Sequence, residues 1–219
     1  MNKIHLLDNG LINKIAAGEV VERPASVVKE LMENSIDAGA TSITVEIAEG
    51  GTSVIKITDN GKGIPKDEIR TAFMRHATSK IDSFEDLENV LTLGFRGEAL
   101  SSIASVAQVE MLTRTENDSM GTRIVINGGV VDREEECAAN VGTVFYVKNI
   151  FFNTPARRKF LKKPATEGSY ISEIVNRIAL GHPNIAIKYI NNGNIVLQTI
   201  GDGNVKNSLF YIYGKDIAS

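Results

Sequence analysis

Between Pro24 and Asp59 the spacing of apolar residues changes from a helical period to a strand period. Val27, Val28, Leu31 and Met32 share one side of a helix over about residues 24–37, with Pro24 at its first turn and Gly39 just past its end. Ser42 to Ala48 then alternates apolar and polar, Glu49-Gly50-Gly51-Thr52 turns the chain, and Ser53 to Asp59 returns as a second strand. An amphipathic helix and a half-buried hairpin can bury their apolar faces only by layering.

The rest of the chain follows the same grammar. The spacing predicts a glycine-rich loop over residues 60–64, a helix from Pro65 to Arg75, a short helical stretch around Phe84–Leu91 and a helix starting at Glu98. Strand patterns follow at about 107–114, 122–127, 130–136 and 142–148. Glu167 to Gly181 reads as a helix with Ile171, Ile174, Val175 and Ile178 on one face, and Ile185–Ile190 and Ile195–Ile200 as a hairpin. Helices and hairpins are mixed without regular βαβ alternation. The expected fold is therefore α+β, a two-layer sandwich with helices on one face of a mixed, mostly antiparallel sheet. Residues 1–203 read as one domain, and residues 204–219 as a linker and the truncated start of a second.

Composition excludes several classes. A net charge of −3, from 24 basic and 27 acidic residues, argues against bulk attraction to nucleic acid but allows a local basic patch. The single cysteine, Cys137, cannot form an intrachain disulfide and suits a reducing compartment. No apolar run reaches membrane-spanning length, and Asp8 and Gly10 interrupt any signal-peptide pattern, so a cytoplasmic location is expected. His5, His76 and His182 are scattered, which makes a zinc site unexpected.

Three segments carry chemistry. On the helix over 24–37, Glu30, Asn34 and Asp37 fall within an arc of about 60°, away from the apolar side. A carboxylate one turn from an amide oxygen can orient a water and hold a hard metal ion, although an acidic face can also simply be solvated. Asp59-Asn60-Gly61-Lys62-Gly63 places a carboxylate at a strand end. Asp59 either caps a turn or accepts a hydrogen bond from an exocyclic amine such as adenine N6, with Gly61 and Gly63 letting the backbone approach a flat ring. Gly94-Phe95-Arg96-Gly97 runs into a helix start, which is either a plain surface loop or a set of N–H donors suited to phosphate. It matches neither the Rossmann nor the P-loop spacing.

Longer blocks surround these segments. Ile15 to Thr41, Arg75-His-Ala-Thr-Ser-Lys80, Leu93-Gly-Phe-Arg-Gly-Glu-Ala-Leu100 and Phe152-Asn-Thr-Pro-Ala-Arg-Arg-Lys-Phe-Leu161 resemble the N-terminal region of the MutL mismatch repair ATPases. That family belongs to the gyrase, Hsp90, histidine kinase and MutL (GHKL, or Bergerat) superfamily. The resemblance covers nearly the whole chain and is weakest over 115–140 and 200–219. It implies the GHKL fold, ATP and Mg as cofactors, and Mg-dependent hydrolysis of ATP to ADP and phosphate.

The resemblance also implies roles. Glu30 matches the general base, and Asn34 the Mg ligand, with Asp37 on the same face. Asp59 matches the adenine-reading aspartate, Gly63 the glycine beneath the base, with Gly61 a nucleotide-binding residue of the same loop, and Thr143 the threonine that buttresses Asp59. Thr78, Ser79 and Lys80, with Gly94, Phe95, Arg96 and Gly97, match a lid around the triphosphate. At the level of the whole family it implies a nucleotide-gated clamp that works with a MutS-like mismatch recognition protein and binds DNA weakly without sequence preference. It also implies self-association on ATP binding through residues 1–20 and the lid. Relatives carry a lysine in a second domain that reaches the γ-phosphate, so weak hydrolysis is expected from this chain alone.

Two other functions compete. A histidine kinase domain needs a phospho-accepting histidine in a dimerisation helix, and none of the three histidines has that context. A non-catalytic DNA-binding module would use the cluster Arg157, Arg158, Lys159, Lys162 and Lys163, otherwise a solvated face. No aromatic interleaving is expected there. Glu134-Glu135-Glu136 reads as an exposed turn.

Overall fold

The computed structural model describes residues 9–77 and 97–214. Among them eight strands form one sheet: β1 Ser42–Ala48, β2 Val54–Asp59, β3 Gln108–Arg114, β4 Gly121–Asn127, β5 Val130–Cys137, β6 Gly142–Lys148, β7 Ala186–Asn191 and β8 Asn194–Gln198. Their order is β5-β4-β3-β6-β2-β1-β7-β8. Every pairing is antiparallel except β1 with β7. The helices are α1 Asn9–Val20, α2 Pro24–Asp37, α3 Ile69–Ala72, α4 Ala99–Val106, α5 Pro155–Phe160, α6 Pro164–Gly181 and α7 Val205–Tyr213.

Strict alternation decides which face of the sheet is covered. β1 buries Ile43, Val45 and Ile47, and β2 buries Ile55, Ile57 and Asp59. Opposite them lie Val27, Val28, Leu31 and Met32 of α2 and Ile171, Val175 and Ala179 of α6, all buried. α2 lies against both α6 and β2. The other face carries cross-strand ion pairs: Lys56 with Glu46 at 2.6 Å, and Arg123 and Lys148 both with Glu110 at 2.8 and 3.0 Å. One apolar face and one charged face make the two-layer α+β sandwich the sequence predicts. Among the described residues no helix is long and apolar enough to cross a membrane.

The helices depart from expectation at several points. The helix expected from Pro65 to Arg75 shortens to Ile69–Ala72, with turns around it. Ile69 is fully buried, Phe73 packs edge-on to Phe145, and Met74 is 57% exposed, so little apolar surface is available to hold a longer helix. Residues 9–20 form α1 despite Gly10, and α1 lies against α4 with Ala17 buried. The helix expected from Glu167 starts at Pro164, a proline in the first turn. The strand expected to reach Ile200 ends at Gln198. Glu134, Glu135 and Glu136 lie in the edge strand β5, not a turn. There Glu134 pairs with Arg70 and Glu136 with Lys66, tying the segment after β2 to the edge of the sheet. The short helical stretch around Phe84–Leu91 and residues 1–8 lie outside the described residues. Beyond β8, α7 packs on α6 and β8 and buries Ser208.

Candidate nucleotide site

The polar face of α2 forms as the sequence predicts. Glu30, Asn34 and Asp37 are all half-buried on a helix whose other side is core. What fastens this helix to the rest of the site is Ser35, which the sequence reading passed over. It occupies a position where the helical period calls for an apolar residue, and it is only 4% exposed. Its hydroxyl lies 2.8 Å from Asp59 Oδ2 and 3.0 Å from the Leu31 carbonyl oxygen. A polar residue inside an apolar stripe was the signal available in the sequence.

Asp59 ends β2 pointing inward, opposite Thr143 on β6 and Ile43 on β1. Its Oδ1 accepts the Gly61 N–H at 2.9 Å, and Ser35 and the backbone N–H of Thr143 also donate to the carboxylate. Burial pushes its titration above the ordinary carboxylate range, and these three hydrogen bonds only partly oppose that shift. Asp59 is therefore a desolvated acceptor with a fixed orientation, the arrangement that selects for a donor in a ligand.

The loop after Asp59 is tied down from two sides. Lys62 N–H donates to the Ala38 carbonyl at the end of α2, 3.0 Å away. Ile64 N–H donates to Thr113 Oγ1 at 2.9 Å. Thr113, 1% exposed, also bonds the Gly142 carbonyl at 3.1 Å and Thr143 Oγ1 at 3.2 Å. Like Ser35, it interrupts an inward apolar alternation, here Val109, Met111 and Thr113 of β3, and it too was missed. Gly63 has φ +72°, and a Cβ there would collide with the Arg114 carbonyl oxygen. The need for glycine at 63 is thus already met by the protein's own backbone.

Thr143 stands opposite Asp59 across the β2–β6 pair, where the resemblance placed it. Gly97, with φ +61°, lies against the Ala77 backbone. Arg75 and His76 both reach Glu98 Oε1, at 3.4 and 3.3 Å, so the two flanks of segment 78–96 meet. Thr78, Ser79, Lys80, Gly94, Phe95 and Arg96 lie outside the described residues.

No cluster of three or more His, Cys, Asp or Glu side chains suited to a metal exists among the described residues. Mg needs none, because it keeps waters and takes most of its ligands from substrate phosphates. A single half-buried amide such as Asn34, beside Glu30, fits that chemistry. Two open clefts flank the region: about 510 Å³ lined by Pro65, Lys66, Arg70 and Glu134 among others, and about 540 Å³ lined by Thr44, Thr58, Asp59 and Thr143 among others. Neither is lined by the polar face of α2.

Comparison with known proteins agrees with this fold. A model of the histidine kinase-, DNA gyrase B- and HSP90-like ATPases matches residues 22–141, from the approach to α2 through β5 and the loop that follows it. The chain belongs to the MutL branch of this ATPase family. It is 58% identical to the DNA mismatch repair protein MutL of Agathobacter rectalis over 219 residues, which is all of this chain and 34% of that protein. The MutL of Caldanaerobacter subterraneus subsp. tengcongensis is 54% identical over the same length, 37% of its own. The chain thus spans about a third of the curated relatives it matches. Among solved structures, the Aquifex aeolicus MutL ATPase domain complexed with ADP superposes with a TM-score of 0.73 at 31% identity, covering 89% of this chain and 70% of that one.

Proposed function

We propose that this domain binds ATP and hydrolyses it with Mg to ADP and phosphate, as the switch of a mismatch repair clamp. The observation that carries the reading is the buried Ser35–Asp59 hydrogen bond, which sets a desolvated, oriented acceptor beside the polar face of α2. In this reading Asp59 accepts the adenine amine, and its carboxylate is held by Ser35, Gly61 and Thr143. Gly61 and Gly63 shape the loop under the base. Asn34, with Asp37 on the same face, would hold Mg, which supplies charge neutralisation at the phosphates. Thr78, Ser79, Lys80 and Gly94 to Gly97 would enclose the triphosphate.

Phosphoryl transfer to water requires mainly positioning and charge compensation. Glu30 accepts a proton from the attacking water as the new P–O bond forms and ADP leaves. Such a base contributes roughly 10²–10⁴-fold. Glu30→Gln is expected to bind ATP with the parent's affinity and to lose phosphate release by that factor. Isothermal titration beside single-turnover release from γ-labelled ATP tests this, and an unchanged release rate refutes the role. Turnover by this domain alone is expected to be slow, since relatives complete the site from a second domain.

For the full-length protein we place the ATP-bound domain in a paired state through residues 1–20 and the lid, acting with a MutS-like partner on DNA in the cytoplasm. The basic segment supports the DNA reading in one respect beyond charge. Phe160 is 83% exposed among the exposed Arg158, Lys159, Lys162 and Lys163, an aromatic ring within the cluster where none was expected. Arg157 leaves that surface: its guanidinium lies 5.8 Å from the Phe151 ring and fills the space left by Gly18 of α1.

A further inference from the structure

Lys29 stands immediately before Glu30 on α2 and four residues before Glu33. Its Nζ lies 2.9 Å from Glu33 Oε2 and 3.2 Å from Glu30 Oε1, so one ammonium bridges two carboxylates. Glu33 is the more enclosed of the two, with 13% of its side chain exposed against 23% for Glu30.

Helix geometry alone does not explain this bridge. Adjacent residues point about 100° apart, so Lys29 meets Glu30 only by bending across the face. The Lys29–Glu33 pair also runs lysine-first, the less stabilising order for pairs four apart, so helix stability is a poor reason for it. A reason appears once Glu30 is the base. A glutamate carboxylate on its rotatable side chain samples several orientations, and a base works only within hydrogen-bond reach of its water.

We propose that Lys29 is a positioning residue for hydrolysis: anchored by Glu33, its ammonium holds the Glu30 carboxylate in one orientation on the polar face of α2. The inference rests on the assignment of Glu30 as the base. The logic is that of a catalytic base held by a second residue which is itself held by a third. Burial works against the charge on Lys29, yet the hydrogen bonds it donates to Glu33 and Glu30 and the charges of both glutamates outweigh it and lift Lys29 above the ordinary lysine range.

Four variants of this chain test the relay, each read by single-turnover phosphate release, ATP titration and thermal melting. Lys29→Met is expected to slow release roughly tenfold while ATP affinity stays within about twofold of the parent. Lys29→Arg should recover most of that loss. Glu33→Gln should slow release in the same direction, and Lys29→Met/Glu33→Gln should be no slower than Lys29→Met alone, because both act through one contact. A readout independent of turnover is the ¹⁵N resonance of the Lys29 amine, whose titration should move down in Glu33→Gln. Parent-like release in Lys29→Met, affinity falling in step with rate, or an unmoved Lys29 titration each overturns the relay. The failure of the underlying reading looks different: Glu30→Gln then releases phosphate at the parent's rate, or the parent releases none.

Discussion

Replacing Asp59 by Asn separates recognition from stability, because the proposed adenine contact and the burial of the carboxylate call for opposite effects. The carboxylate accepts from Gly61 at 2.9 Å and Ser35 at 2.8 Å and has little contact with water. In Asp59→Asn the amide oxygen can keep the Gly61 bond, while the new NH2 donates to Ser35 Oγ. The Ser35 hydroxyl is then free to turn to the Leu31 carbonyl, already 3.0 Å away. The Gly61 and Ser35 contacts thus each keep a partner. The charge on Asp59, moreover, is one that burial disfavours. Since the folded-state titration of Asp59 is raised, the folded chain binds more protons than the unfolded one between the ordinary aspartate range and the raised value. Stability therefore falls as pH rises through that window and stays reduced at neutral pH. Asp59→Asn removes this loss, so its stability near pH 7 should equal or exceed the parent's, and the difference should vanish in acid.

Recognition should move the other way. A hydrogen bond to a charged acceptor is worth about 1.5–3 kcal/mol, which converts to roughly a 10–150-fold loss of ATP affinity. Inosine triphosphate, with a carbonyl in place of the purine amine, should bind the parent poorly and Asp59→Asn comparatively well, since the new amide can donate. Calorimetric titration with both nucleotides, beside urea denaturation across the acid range, reads every arm. Ser35→Ala is the companion: it removes a donor from the carboxylate, should push Asp59's titration further up, and should weaken ATP without reversing the preference for it. Parent-like ATP affinity in Asp59→Asn, or unchanged discrimination against the inosine analogue, would refute the assignment.

Two further outcomes follow from the geometry. Gly63→Ala forces a side chain into a left-handed backbone and against the Arg114 carbonyl, at a cost of at least about 1–3 kcal/mol; the melting temperature should drop by about 2–4 °C per kcal/mol whether or not nucleotide is present. Lys159→Glu should weaken DNA binding and flatten its salt dependence, and Phe160→Ala should weaken single strands more than duplex in the same anisotropy titrations; equal loss on both would leave the ring without a stacking role.

Much of this architecture was legible before any coordinates. Every expected strand formed, because alternation is local and most strands bury one face, whereas β5, with no buried residue, is held at the edge by its pairing with β4. α2 ended at Asp37 and carried its polar triad as expected, since Pro24, Gly39 and the apolar stripe all act within one helix. Asp59 fell at a strand end and Thr143 opposite it, the one tie that the resemblance anticipated.

The amino-acid sequence by itself determined the hydrophobic periods and, through them, where most helices and strands run. Only tertiary structure decided which polar groups touch. Ser35 and Thr113 look like ordinary helix and strand residues until layering closes over them, and a hydroxyl out of water must then find a partner from another element. The same holds for the shortened α3, the acidic β5 that pairs with Lys66 and Arg70, and the parallel join of β1 to β7. Hydrophobic spacing is read along the chain, whereas hydrogen-bond partners and sheet order depend on contacts between segments far apart in it.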